Sequence, residues 1–526
     1  MVVSYFTQIS EQQIIIVLRT IPALFAIATV IVTFILTRRY FGSLAAWLAV
    51  FLLAIVPLEF LNWSVVSHPD VPQMYFLVLG IYFCCLLGEE KYLKWLIFAS
   101  ACSGLAFACK YSGVFLLIVI WIIGIIQTII EGDNERFEIS IFHNINAARY
   151  ITATIGLILI IIGVVVSHEF AERYLSVTGT IDDSLKIIFL NRMRIISILI
   201  GCVFIILSIL KFIWLTIKVS KKISSILNKI IISTVTFCLS FIITSPFSLY
   251  KINIVKGLYL ERRHIATGEW FIEEKSGIKW FHILFSSPLL DQIILFMIAI
   301  SLFVFIYKVL RGNYRSYIPA SIIWLFVMIY GGFLIFQVGM HRSHYLLPII
   351  PFLIILSTQP LYEFAKIVKD RFSKNNVFVL SFSLIFLICG LEFHKSFNRI
   401  LEFKESVINR VENSNSVRAG QWLAKNYSST TRILYDYYSY IPLSFTNSYG
   451  HWGELIPMLS KIDPDIVIVN HAIADHFDDI SKAKLYVTGE DEFRKRYEFY
   501  KALRDGKCGY KLVQDFEDVQ IYEKIQ

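Results

Sequence analysis

Through the first 391 residues, apolar side chains come in long unbroken runs, near 13–36, 43–62, 72–87, 94–109, 112–130, 150–167, 194–217, 227–245, 289–307, 317–339, 345–365 and 376–391. Several of these approach the ~20 residues that a helix needs to cross ~30 Å of hydrocarbon, while 72–87 and 94–109 are shorter and borrow flanking residues. The runs therefore predict an all-α polytopic core of about twelve membrane helices. A membrane barrel is excluded, because its strands alternate apolar and polar residues. After residue 391 the pattern changes. "VRAGQWLAKNY" reads as a helix, "RILYDYYSYI" and "PDIVIVN" as strands, "EDEFRKRYEFYKALRDG" as a helix ended by Gly506, and "YKLVQDFEDVQIYEKI" as a strand pair. Two domains follow from this change: a membrane core over 1–391 and a small α/β domain over 392–526.

Composition agrees with this reading. With 526 residues, 56% hydrophobic and only 17% charged, the chain holds more apolar surface than one soluble core could hide. The net charge of +9 needs no nucleic-acid partner, since basic loops facing the cytoplasm account for it. Seven of the eight cysteines lie in apolar runs and only Cys508 in the polar C-terminal part, so no disulfide framework is implied. No cleavable signal peptide or internal repeat is evident.

Every second connection is basic: Arg38 and Arg39; Lys91 and Lys94; Lys218, Lys221, Lys222 and Lys229; Lys308, Arg311 and Arg315; Lys366, Lys369, Arg371 and Lys374. These predict the cytoplasmic side of a multi-pass plasma-membrane protein. The acidic stretch 131–149 falls on that side too and is the one dissenting loop. On the opposite face the pattern collects His68, Asp70, Lys110, His264, His341, Arg342 and His344, together with everything after residue 391. Ionisable groups scattered over nearly three hundred residues thus come to one external surface.

The order "RTIPALFAIATVIVTFILTRRYFG", "HPDVPQMYF", "GLAFACKYSGVFLL", "TSPFSLYKINIVKGLYLERRHIATGEW", "HRSHYLLPIIPFLIIL" resembles the membrane core of the glycosyltransferase C superfamily. Within it, the chain is most similar to the branch that holds the aminoarabinose transferases of lipid A and the protein O-mannosyltransferases. The resemblance covers roughly residues 13–390, and the C-terminal part matches the extracytoplasmic domain that many members append. It implies an integral-membrane glycosyltransferase that moves a sugar from a polyprenyl-phosphate carrier to a lipid, glycan or protein acceptor outside the cytoplasm, with no cofactor. Such a site needs a carboxylate to take the acceptor's proton, cations to hold the leaving phosphate, and a groove open to lipid.

Each candidate residue also has a plainer reading. Asp70 has S-x-x-D spacing from Ser67 and could cap the next helix, whereas the family position implies a catalytic acidic residue lining the cavity. Lys110 could snorkel to the interface, but the family's lysine-containing turn lies near the donor phosphate. His341, Arg342 and Tyr345 could anchor the interface; equally, the Arg fork suits a phosphate and Tyr345 can donate a hydrogen bond to it. In "LERRHIATGEW", His264 and Gly268 match a family loop that folds over the cavity, a loop in which Arg263 and Glu269 also lie. His168 and Glu169 lack the second spaced pair that a metal site requires, so no metal is expected.

Two other readings stay open. One is a transporter or lipid-linked-sugar flippase, which would be expected to bind at midplane breaks arranged as a repeat. The other arises because family members begin with a helix leading to an external acidic loop, whereas this chain begins "MVVSYFTQISEQQ" and enters directly the span that is second in the family. A short N-terminus and an inactive transferase would follow, with Asp70 the matched carboxylate that remains and Glu11 too near the membrane run to take the family role.

Overall fold

The computed structural model of the chain describes residues 11–90, 92–131, 219–248, 277–286, 290–311, 317–371, 414–451, 461–487 and 489–525, with scattered residues between these ranges. The long apolar runs are helical, as lipid requires of a backbone that must satisfy its own hydrogen bonds. They are α1 (Glu11–Ile55), α2 (Leu58–Ser64), α3 (Asp70–Glu90), α4 (Leu93–Cys109), α5 (Val114–Glu131), α6 (Val219–Thr244), α7 (Gly277–Ser286), α8 (Gln292–Leu310), α9 (Ile318–Gln337) and α10 (Ile350–Arg371). Among the described residues seven helices are long and apolar enough to cross a membrane, and α4 is a shorter apolar helix. This is a multi-pass membrane protein.

The expected runs 13–36 and 43–62 join in α1, which breaks at Gly42, where φ is +83°. That left-handed backbone is open to glycine and strained for other residues. The second of these runs breaks again at Pro57, and α2 resumes the helix. The expected spans 150–167, 194–217 and 376–391 lie outside the continuously described residues.

One apolar core joins these helices around Leu36, Leu53, Met74, Leu77, Phe326 and Phe352, all almost fully buried. Helix α10 is the most enclosed of the candidate spans and α8 the least. Helices α4 and α6 approach so closely at Gly104 that a Cβ there would lie 2.4 Å from the Phe237 carbonyl oxygen. At one end of the bundle Arg39 pairs with Glu89 at 3.2 Å and Glu90 at 3.0 Å, and Gly42 meets the Tyr362 ring. At that end too Glu363 pairs with Lys308 at 3.4 Å and accepts from the Tyr317 hydroxyl. The described basic connections gather there, as their alternation predicted.

The C-terminal part holds a five-stranded mixed sheet of order β2-β1-β3-β5-β4. Its strands are β1 (Ile433–Asp436), β2 (Ser448–His451), β3 (Ile466–Asn470), β4 (Tyr510–Asp515) and β5 (Val519–Lys524). The three β1–β3 strands run parallel, and β5 and β4 add antiparallel pairs. Alternating residues bury one face against α11 (Asn415–Asn426) through Ile433, Ile466, Ile468 and Leu423. The other face packs on α12 (His471–Ala474) and α13 (Glu490–Arg504) through Leu434, Val467, Phe493 and Leu503. Strand β2 was not foreseen, since "SYGH" shows no apolar alternation and lies at the sheet edge; of the expected strand "RILYDYYSYI" β1 keeps Ile433–Asp436.

Where the parallel strands end, Asp436 is wholly buried, accepting from Asn470 N–H at 3.0 Å and Tyr500 O–H at 2.8 Å. His451 Nδ1 lies 3.2 Å from its carboxylate. Burial outweighs these hydrogen bonds and pushes the Asp436 carboxyl up to about 7. Burial, helped by the nearby Arg496 charge, pushes His451 down to about 3. Both groups are driven toward their neutral forms, and a protonated Asp436 can donate to a neutral His451.

The stretch between α6 and α7 ties the two parts together. Phe271 forms an antiparallel bridge with Tyr486. Ile272 N–H donates to Leu485 O at 2.7 Å, Val487 N–H donates to Trp270 O at 3.0 Å, and the Trp270 ring stacks on His476.

Candidate functional site

At the end of the bundle opposite Arg39, three chain segments meet: the turn before α3, the turn Tyr111–Gly113 between α4 and α5, and the 3-10 helix Ser343–Ile349 before α10. Asp70 opens α3 and is fully buried. Its Oδ1 accepts from Lys110 Nζ at 2.8 Å, and its Oδ2 lies 2.9 Å from His68 Nδ1. The carboxylate thus reaches sideways to α4, and both oxygens face cations or their precursors. The capping box with Ser67 needs Asp70 three residues inside the helix, but α3 begins at Asp70 itself, and the carboxylate faces Lys110 and His68 instead. Gln73, one turn further along α3, donates to Lys110 O at 3.2 Å and Ser112 Oγ at 2.8 Å, which fixes the lysine's turn.

Lys110 ends α4 in an extended conformation, so its side chain leaves the helix and lies 4.3 Å over the Tyr345 ring. A cation over an aromatic face is held by the ring's quadrupole. Tyr345 is buried, and its backbone carbonyl accepts from Tyr330 O–H at 3.1 Å. His344 packs between Trp63 at 5.1 Å and Tyr345 at 4.6 Å, with His68 at 5.6 Å. Glu59 holds this pile: one oxygen accepts from Trp63 Nε1 at 2.9 Å, the other from Ser343 Oγ at 2.8 Å. His341 packs on Trp280 at 5.1 Å.

Two cavities adjoin at Lys110. One is walled largely by Val114, Phe115, Leu258, Ile265, Phe333 and Val338. The other is the more polar and touches His68, Ser248, His264 and His344. Lys110, Tyr111, Glu261 and Tyr345 line both. Ile265 O accepts from Gly339 N–H at 2.7 Å and Met340 N–H at 3.2 Å, which ties the loop carrying Glu261 and His264 to the turn before His341.

The structure therefore brings together Asp70, Lys110, His264 and Tyr345, with His68 and His344. Asp70 stands behind Lys110 and lines neither cavity. Arg342 is exposed at the head of the 3-10 helix, and His341 is half-buried; neither lines either of these two cavities. Arg263 and Glu269 lie outside the described residues. Among the described residues no group of three His, Cys, Asp or Glu side chains could hold a metal ion. Sequence reasoning passed over Tyr111, Tyr330, Gln73 and Glu59. Tyr111 and Ser112 stand in the quoted "KYSG", but nothing in the pattern around Tyr330 marks it off from a core aromatic.

No curated protein matches the chain in sequence. Solved structures resemble it at low identity. The archaeal oligosaccharyltransferase AglB from Archaeoglobus fulgidus, in complex with an inhibitory peptide and a dolichol-phosphate, is 13% identical with a TM-score of 0.48, over 91% of this chain and 61% of that one. The chain thus spans 61% of that protein's length. ArnT from Cupriavidus metallidurans in the apo state is 11% identical with a TM-score of 0.42, over 96% of this chain and 83% of that one. The family comparison falls on the N-terminal third: residues 2–166 match the dolichyl-phosphate-mannose-protein mannosyltransferase family, which bears out the resemblance to polyprenyl-phosphate sugar transferases on which the motifs converge.

Proposed function

We propose that this protein is a membrane glycosyltransferase that takes a sugar from a polyprenyl-phosphate carrier and passes it to an acceptor on the extracytoplasmic side. The observation that carries this reading is the pairing of an apolar cavity with a polar one across Lys110, Tyr111, Glu261 and Tyr345. A lipid-tailed phosphate sugar needs both chemistries side by side: apolar walls for the isoprenoid and donors for the phosphate. Family similarity over residues 2–166 supports the same chemistry.

In this reading Lys110 holds the donor phosphate. Its ammonium has three donors, one spent on Asp70 Oδ1, and its place on both cavity walls leaves it able to serve a phosphate as well. Tyr345 carries the lysine on its ring face and adds a hydroxyl. Arg342 supplies positive charge at the rim, with His341 beside it. Asp70 and His68 fix the ammonium's position, and His264 closes the polar side. Residues 1–391 form the transferase core, and 392–526 the domain outside the membrane.

Native mass spectrometry of the purified protein with added undecaprenyl phosphate tests donor binding, and mass spectrometry of surface glycans and glycoproteins with and without the gene tests transfer. Retained lipid and a gene-dependent sugar are expected. Neither would appear if the protein is a transporter of another solute.

A further inference from the structure

Transfer to a hydroxyl or amine forms a bond between the acceptor atom and the anomeric carbon, while the bond from that carbon to the phosphate oxygen breaks and its electron pair leaves with the phosphate. The acceptor's proton must go to a base that can reach the cavity. Asp70 is badly placed for this: it is wholly buried, its two oxygens lie 2.8 Å from Lys110 Nζ and 2.9 Å from His68 Nδ1, and it lines neither cavity.

Glu261 differs in each respect. It is half-buried, and it is the one carboxylate among the described residues lining either cavity; it lines both. Among the described residues it makes no ion pair or hydrogen bond. Four residues on, Ile265 O accepts from Gly339 and Met340 N–H, which ties this loop to the turn before His341.

We infer that Glu261 is the proton acceptor of the transfer step, lying across the cavity junction from the Asp70–Lys110 pair. The acceptor enters the polar cavity and its proton passes to the Glu261 carboxylate as the sugar moves. The protonated acid then returns the proton to water or to the departing phosphate. This assignment rests on the transferase reading above.

The test uses cells lacking the gene, complemented with full-length wild type, Glu261→Gln or Glu261→Asp, and reads the gene-dependent surface sugar by mass spectrometry. Native mass spectrometry with added undecaprenyl phosphate runs in parallel on each purified protein. A positioned base contributes about 10²–10⁴-fold, so Glu261→Gln is expected to lose at least about 100-fold of transfer while retaining the lipid as wild type does, with Glu261→Asp recovering part of the loss. Wild-type transfer by Glu261→Gln overturns the assignment. So does loss of lipid retention by Glu261→Gln, which would make Glu261 part of the lipid site. If wild type itself neither retains the lipid nor adds a sugar, the transferase reading fails and the assignment falls with it.

Discussion

Replacing Lys110 with methionine keeps the length of the side chain and deletes its charge. What remains is the Asp70 carboxylate, 0% exposed, with only the His68 ring nitrogen at 2.9 Å on its other oxygen. Lys110 is itself only 14% exposed. Breaking a buried pair from one side costs about 3–5 kcal/mol, because the partner charge is stranded. At about 2 °C per kcal/mol, the lower end of the range for larger domains, the unfolding midpoint in detergent should fall by roughly 6–10 °C. The double variant Lys110→Met with Asp70→Asn removes both charges and leaves mainly lost hydrogen bonds, at about 0.5–1.5 kcal/mol each. It should therefore be the more stable of the two, recovering over half of the loss. Thermal unfolding of wild type, both single variants and the double variant, followed by tryptophan fluorescence, measures the coupling. A Lys110→Met protein as stable as wild type, or a double variant no better than it, would refute the buried pair. The cycle also separates stability from chemistry, since transfer lost in Lys110→Met and not regained in the restabilised double variant belongs to the lysine's contact with the donor.

Orientation can be checked by thiol labelling with a reagent that cannot cross the membrane, in a Cys508→Ser background: a cysteine at exposed Lys507 should label in intact cells and one at exposed Lys94 should not, with the reverse pattern inverting the proposed site face. In the C-terminal domain, Asp436 folds with its carboxyl raised to about 7, so its contribution is full below the ordinary carboxylate range and fades as pH rises toward 7. His451, lowered to about 3, works the other way: its contribution is full above the ordinary histidine range and fades as pH falls toward 3. The two nearly cancel between about 4 and 6.5. Asp436→Asn in the full chain should unmask the histidine, giving an unfolding midpoint that climbs from pH 4 to 6.5 where wild type is flat; matching profiles would show that the pair does not share neutral forms.

The described spans, α7 apart, were legible because a span's length and continuity follow from the thickness of the bilayer. Parity of basic connections was enough to place His68, Asp70, Lys110, His264 and His344 at one end. Which of them touch was not legible, since that depends on the rotation of each helix about its axis. Asp70 and Lys110 are 40 residues apart, and only the turn of α3 against α4 decides that the carboxylate faces the ammonium and not the open cavity. The rotation of α9 likewise sends Tyr330 to the Tyr345 carbonyl. Gly42 was readable only in hindsight: a lone glycine in an apolar run looks like a packing residue until its φ is known. Strand β2 escaped because edge strands need no apolar period, and Glu261 because a loop rich in charge gives no sign of which charge turns inward.

The bridge between Phe271 and Tyr486 changes what counts as a separable piece of this protein. A cut near residue 391 looks natural along the chain, yet the strand-like pairing of Trp270–Ile272 with Leu485–Val487 crosses it. Anyone grafting the C-terminal part onto another membrane core would leave those backbone partners behind and uncover the His476 face on which Trp270 stacks. The portable unit is discontinuous: residues 414–525 together with the short stretch 270–272. The same loop, six residues upstream, holds His264 against the polar cavity, so a graft that keeps the pairing carries part of the cavity wall along with the outer domain.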